Sequence, residues 1–190
     1  MPILQGKRIR LRAAEREDIP IFLKWINDEE ITENLELLYP MSRTEEEQWY
    51  DKMLTRPDAE HIMVIEVQQT SKGETNIPIG TCKFFNIDWR NRSGELGIMI
   101  GEKAFWNQGF GTETMRLLLR HGFSTLNLHR IWLQVFANNK RAIHVYEKVG
   151  FKHEGIFRQA YYKHGSYVDI QLMSVLKNEW GEDLISDMNE

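Results

Sequence analysis

Hydrophobic and polar positions change period several times along the chain, and each change marks an element. Arg8-Ile9-Arg10-Leu11-Arg12-Ala13 alternates polar and apolar, the period of a strand with one wet face. Residues 17–27 instead carry Ile19, Phe22, Leu23 and Ile26 at helical spacing. Thr44-Glu45-Glu46-Glu47 reads as a capping box in which Thr44 caps a helix and Glu47 reaches back to it. That helix runs through Trp49 and Met53 and stops before Pro57. Residues 61–67 and 77–87 read as strands, with the polar run 68–76 as their hairpin loop. A turn at 91–94 leads into another strand, 95–100. In the stretch FWNQGFGTETMRLLLRHGF, 105–123, two glycines open a helix whose one face carries Met115, Leu118, Leu119, Gly122 and Phe123. Arg116, Arg120 and His121 fall on or near its other side. A strand over 130–136 follows, then a helix over 140–149 that buries Ala142, Val145, Tyr146 and Val149 and stops at Gly150. Two last strands, about 155–163 and 167–176, are joined by His-Gly-Ser. The pattern predicts one α/β domain: an early helical pair, a mostly antiparallel meander, and a β-α-β-α-β-β tail.

Composition narrows the function. Hydrophobic residues make up 42% and charged residues 27% of the 190, which is the profile of a soluble globular protein. The net charge of −4 argues against nucleic acid as the main partner, although Arg8, Arg10 and Arg12 share one strand face. A solvated strand face is the plainer account of those three. One cysteine, Cys82, rules out an intramolecular disulfide and fits a reducing compartment. The start of the chain lacks an apolar signal core, and no apolar run approaches a membrane span, so a cytoplasmic location is the expectation.

The glycine pair raises the first chemical question. The first turn of a helix leaves four backbone N–H groups without partners, and the macrodipole adds about half a positive charge there. Gly109 and Gly111 would let an anion approach that backbone, and Thr112 offers a hydroxyl. Taken alone, G-x-G equally describes a tight turn. A dinucleotide fingerprint would need a third glycine, where position 114 is threonine, and an acid after the next strand, where Val135-Phe136-Ala137 stands. The nucleoside-triphosphate loop fails too, because no Gly-Lys-Ser/Thr follows.

Downstream lies Asn139-Lys140-Arg141-Ala142-Ile143-His144-Val145-Tyr146-Glu147-Lys148-Val149-Gly150-Phe151. With residues 95–100 as a fourth strand and Gln108-Gly109-Phe110-Gly111-Thr112 as a pyrophosphate loop, this block resembles the GNAT superfamily of acyl-CoA-dependent N-acetyltransferases. The likeness is greatest to the branch with the ribosomal-protein N-terminal and spermidine acetyltransferases, and it covers nearly the whole chain. Trp106 departs from the Arg or Gln with which many members begin the loop. The resemblance implies a single GNAT-like domain over 1–190 with a core of about 7–177. The expected fold is a mixed, largely antiparallel twisted sheet flanked by helices, with its fourth and fifth strands splayed.

The resemblance also implies acetyl-CoA as co-substrate. Its pyrophosphate would lie on the amides of Gln108, Gly109, Phe110, Gly111 and Thr112, and its pantetheine arm along Ile98, Met99 and Ile100. Asn139 would contact the same arm, and Lys140 or Arg141 the 3′-phosphate, though a solvated helix start explains those two bases equally well. The implied reaction is direct attack of a primary amine on the thioester. An alkyl ammonium, with a pKa of about 10.4, must first lose a proton. Glu95 occupies the family's place for the base, with Glu33 and Glu36 in reserve on the acceptor side. Tyr146 would protonate the departing thiolate, and a backbone N–H near Met99 or Ile100 would meet the oxyanion. The acceptor is a polyamine, a protein N-terminus or a small-molecule amine. The acidic run 28–36 and Glu45–Glu47 would favour a cation. The alternative is a non-catalytic acyl-CoA sensor on the same fold. No metal is expected, since the six histidines show no ligand spacing. A homodimer is left open.

Overall fold

A computed structural model describes residues 3–68 and 75–181 of the chain. The alternating stretch near its start forms a strand, Ile9–Ala13 (β2), preceded by the two-residue strand Leu4–Gln5 (β1). Ile9 and Leu11 are buried, while Arg10 and Arg12 leave by the other face. That face is not simply solvated. Arg10 and Arg12 each donate from Nε to Glu66, at 2.6 and 2.7 Å, and Arg12 adds two bonds to Asp18 at 2.7 and 2.8 Å. The Asp18 pairing above all raises the Arg12 pKa. Glu66 and Asp18 are buried carboxylates, and the guanidinium groups supply the charge-assisted partners that burial demands.

After a 3₁₀ turn at Arg16–Asp18 come α1 (Ile19–Ile26), α2 (Glu29–Thr32) and α3 (Arg43–Leu54). The sequence holds two overlapping Ser/Thr-x-x-Glu frames, and the earlier one caps α3. Ser42 Oγ accepts from the Glu45 amide at 3.3 Å, and Glu45 accepts from the Ser42 amide at 2.8 Å. Asn27 explains the choice, because its amide pins both backbone groups of Met41, at 2.8 and 2.9 Å, just ahead of Ser42. Thr44 is therefore inside the helix, and Glu47 pairs with Arg43.

The remaining strands are β3 (Met63–Val67), β4 (Ile77–Asp88), β5 (Ser93–Ile100), β6 (Arg130–Phe136), β7 (Lys152–Lys163) and β8 (Ser166–Leu176). The predicted hairpin loop 68–76 falls mostly outside the described residues. The eight strands form one sheet in the order β1-β2-β3-β4-β5-β6-β8-β7. Pairing is antiparallel at β1–β2, β2–β3, β3–β4, β6–β8 and β7–β8, and parallel at β5–β6. The mixed, mostly antiparallel sheet with flanking helices is the expected one. The parallel ladder is short, running through Ser93–Arg130, Gly94–Ile131 and Glu95–Trp132.

The chain resolves into two compact units, one built from the segment up to Phe85 with Gly97–Thr114, the other from Asn86–Leu96 with Met115 onward. In the first, Phe22 and Trp25 of α1 pack with Tyr50 and Met53 of α3 and with Ile62 and Val64. The Tyr50 hydroxyl donates to Ala14 O at 3.1 Å. Two glycines allow close approaches there. A Cβ on Gly80 would stand 2.1 Å from Met99 O, and one on Gly101 would stand 2.2 Å from the Trp25 ring.

In the second unit, α4 (Phe110–Arg120) continues from Met115 with Leu117, Leu118 and Leu119 buried. A π-turn, His121–Thr125, then widens the helix, and Leu126 N bonds His121 O at 3.0 Å. His121 is buried rather than on the outer side, four residues after the buried Leu117 and three after Leu118, so the buried face of α4 is broader than the sequence spacing predicts. Helix α5 (Lys140–Lys148) buries Ile143 and Tyr146, with Val149 following, while Ala142 and Val145 are half-buried. Gly150, at φ 103°, ends it in the paired bonds Gly150 N to Glu147 O and Phe151 N to Tyr146 O.

Gly101→Ala is expected to lower stability by about 1–3 kcal/mol in urea unfolding, because the Trp25 ring must move. Gly155→Ala, whose Cβ meets nothing within 4 Å, should stay within about 0.5 kcal/mol. Equal midpoints for the two variants would contradict the packing described.

Candidate active site

The first unit contains the glycine loop. A 3₁₀ turn, Lys103–Phe105, leads through Trp106 and Asn107 to Gly109, whose φ of 82° suits only a residue without a side chain. The helix closes its first bond from Glu113 N to Gly109 O at 3.0 Å. The N–H groups of Phe110, Gly111 and Thr112 therefore have no carbonyl of their own helix to meet. A Cβ on Gly111 would find nothing within 4 Å, so the space before that backbone is open.

Arg8 braces this loop, a role the alternating strand pattern gave no sign of. Its backbone N and Nε donate to the Glu113 carboxylate at 2.8 and 2.9 Å. Its Nη1 donates to Gln108 O at 3.0 Å, and its guanidinium lies 4.4 Å from the centre of the Phe110 ring. Trp106 ties the other end down by donating from Nε1 to Ile100 O at 2.8 Å. The departure from the family's loop sequence is thus a structural anchor. Ile98, Met99 and Ile100 lie in β5 past the last pair of its parallel ladder, at Glu95.

The second unit holds the candidate acid and base. Glu95 is only 5% exposed, so this carboxylate lies inside its unit rather than at the surface. It accepts from Asn86 Nδ2 at 2.9 Å and from Gln134 Nε2 at 3.3 Å, and these amide donors fix the orientation of the carboxylate. Tyr146 is 8% exposed, its ring tilted on Phe151 at 5.9 Å. No hydrogen bond reaches its hydroxyl among the described residues, whereas a purely structural buried tyrosine ordinarily has a partner. Burial pushes its pKa up to about 12, which keeps the proton in place.

Asn139 caps α5, its Oδ1 accepting from Ala142 N at 3.2 Å. Only its amide NH₂ is left for a ligand. Lys140 and Arg141 are exposed in the first helical turn, where positive charge opposes the macrodipole. In the first unit, Glu33 and Glu36 are exposed just after α2. Asp28, in the acidic run, caps α2 and is held below the usual carboxylate range, first by Lys103. Cys82 is buried, and burial pushes its thiol pKa up, so it is no nucleophile.

The family model described as an acetyltransferase (GNAT) domain matches residues 8–152. The chain belongs to the GNAT acetyltransferase family. It is 30% identical to an uncharacterized N-acetyltransferase of Bacillus licheniformis over 183 residues, 95% of this chain and 99% of that one. It is 29% identical to a spermidine N(1)-acetyltransferase of Vibrio cholerae over 176 residues, 92% and 96% of the two chains. The solved structure of spermidine N-acetyltransferase from Vibrio cholerae in complex with CoA and spermine superposes with a TM-score of 0.82. That match has 29% identity and covers 91% of this chain and 98% of the other. As a GNAT acetyltransferase the protein is an acyltransferase that uses acetyl-CoA and delivers the acetyl group to an amine. Among the described residues no helix is long and apolar enough to cross a membrane.

The loop suits the cofactor's pyrophosphate on its own geometry, having open space at Gly111 and unpartnered first-turn amides. Gly111→Val should fold normally yet weaken CoA about tenfold, or about 1.4 kcal/mol, by calorimetry. Unchanged CoA affinity would remove the loop from the cofactor site. A second expectation concerns Tyr146. In an ultraviolet titration, wild type minus Tyr146→Phe should show no phenolate signal at about pH 10, where a free tyrosine is half ionised. The signal should grow in only towards higher pH.

Proposed function

We propose that the protein acetylates a primary amine of a polyamine-like acceptor by direct transfer from acetyl-CoA. The observation that carries the choice of acceptor is the similarity to spermidine acetyltransferases over more than 90% of this chain. A Bacillus subtilis protein assigned as a ribosomal N-acetyltransferase is 34% identical, but over 101 residues, 53% of this chain.

In this reading the amides of Gln108 to Thr112 hold the pyrophosphate, with Arg8 offsetting the charge of Glu113 beside it. The backbone of Ile98, Met99 and Ile100 pairs with the pantetheine amides. The free NH₂ of Asn139 contacts the same arm, and Lys140 and Arg141 meet the 3′-phosphate. Bound acetyl-CoA supplies a thioester whose carbonyl carbon the amine nitrogen attacks, with the C–S bond breaking as the amide forms. Glu95 takes the proton from the ammonium, directly or through water, and its two amide donors orient it for that work. Tyr146 gives its proton to the sulfur that leaves. A backbone N–H near Met99 or Ile100 donates to the carbonyl oxygen as charge develops there.

Thiol release from acetyl-CoA over a panel of polyamines, amino sugars, amino acids and peptides tests this reading. Polyamines are expected to be turned over. Tyr146→Phe and Glu95→Gln should each lower kcat by about 10²-fold or more with CoA affinity retained. CoA binding without thiol release on any amine would support a sensor instead. Full activity in both variants would remove the two residues from the chemistry.

A further inference from the structure

Most acidic side chains that the first unit takes out of water have a partner. Glu66 and Asp18 meet Arg10 and Arg12. Glu102 accepts from Trp25 Nε1 at 2.9 Å and from Lys24. On α3, Glu45 closes the cap and Glu47 pairs with Arg43. Glu46 differs from all of these. It is 4% exposed, and no hydrogen bond or ion pair reaches its carboxylate among the described residues.

Its position is specific. Glu46, Tyr50 and Met53 are the buried residues of α3, and their spacing of i, i+4 and i+7 puts them on one face. Tyr50 and Met53 belong to the apolar cluster, against which Trp49, Met99 and Trp106 also pack. Met99 lies in the β5 segment assigned to the pantetheine arm, and Trp106 anchors the pyrophosphate loop to Ile100. Glu46 thus shares its helix face with two residues of the cluster on which Met99 and Trp106 also pack. An apolar residue would occupy that face at lower cost, since an unpaired buried carboxylate is destabilising. Desolvation holds its pKa up to about 7, so near neutrality the group is poised between charged and neutral and gains most from an arriving cation.

We infer that Glu46 receives an ammonium group of the acceptor other than the nitrogen that is acetylated, making the acceptor a diamine or longer polyamine. This rests on the amine-acetylating reading above. An ammonium held by Glu46 keeps its proton, because ion pairing favours both charged forms, whereas the reacting nitrogen must lose one. The pair therefore suits a spectator cation, and the recognition it provides is of a second charge on the acceptor.

The test is calorimetric binding to the CoA-loaded protein, with spermidine as probe and 1-aminobutane as single-cation control. Wild type should bind spermidine more tightly than 1-aminobutane. Glu46→Gln should weaken spermidine at least tenfold and shift 1-aminobutane less than twofold. Glu46→Leu should melt higher than wild type, having lost an unpaired buried carboxylate, and yet bind spermidine as weakly as Glu46→Gln. Unchanged spermidine affinity in Glu46→Gln, equal losses for both amines, or a wild type that does not prefer spermidine would each overturn the assignment. Thiol release measured in parallel separates the two ideas. A wild type that binds spermidine through Glu46 without acetylating any amine refutes the transfer reading alone. Acetylation of spermidine with unchanged KM in Glu46→Gln refutes the Glu46 site alone.

Discussion

Backbone N–H and C=O groups removed from water need partners, and this chain withholds them at two places. One is the first turn of α4, where the N–H groups of Phe110, Gly111 and Thr112 have no carbonyl of their own helix to meet. The other is β5 past Glu95, where the parallel ladder stops after three pairs. Several residues of the first unit hold the glycine loop in place. Gly109 turns the chain, Trp106 fixes the strand end, and Arg8 holds Gln108 O and the Glu113 carboxylate. The Arg8–Glu113 pair also has an electrostatic effect. Glu113 is stabilised by the helix dipole, and the guanidinium offsets the negative charge it brings to the first turn of α4.

The buried carboxylates show how differently one protein can treat one functional group. Asp18 and Glu66 are made structural by arginines that cross from a neighbouring strand. Glu95 accepts from the side-chain amides of Asn86 and Gln134, which orient it. Glu46 has neither kind of partner.

Much of this was legible in the sequence. The strand Arg130–Phe136 and the apolar face of α4 followed from periodicity, and the stop at Gly150 from the left-handed conformation that only glycine takes readily. What escaped was set by contacts distant in the chain. The cap of α3 is Ser42 rather than Thr44 because Asn27, fifteen residues earlier, pins Met41. His121 is buried because packing covers the side of α4 that carries Leu117, four residues before it, as well as the predicted apolar face. Arg8, Arg10 and Arg12 alternate like a solvated face, and their partners lie on other elements. Glu46 sits in the acidic run Glu45–Glu47, and only the packing of other segments takes it out of water.

The brace between Arg8 and Glu113 joins residues 105 positions apart. Contacts of such separation form late, because the loop-closure entropy of the intervening chain must be met first. A chain growing from its N-terminus has its first strand long before α4 exists, and Arg8 waits without its carboxylate until more than half the protein has been made. The loop that Arg8 braces is thus among the last features of its unit to be assembled. Acetyl-CoA can stabilise the finished protein by mass action, but it cannot guide the early steps that build that loop.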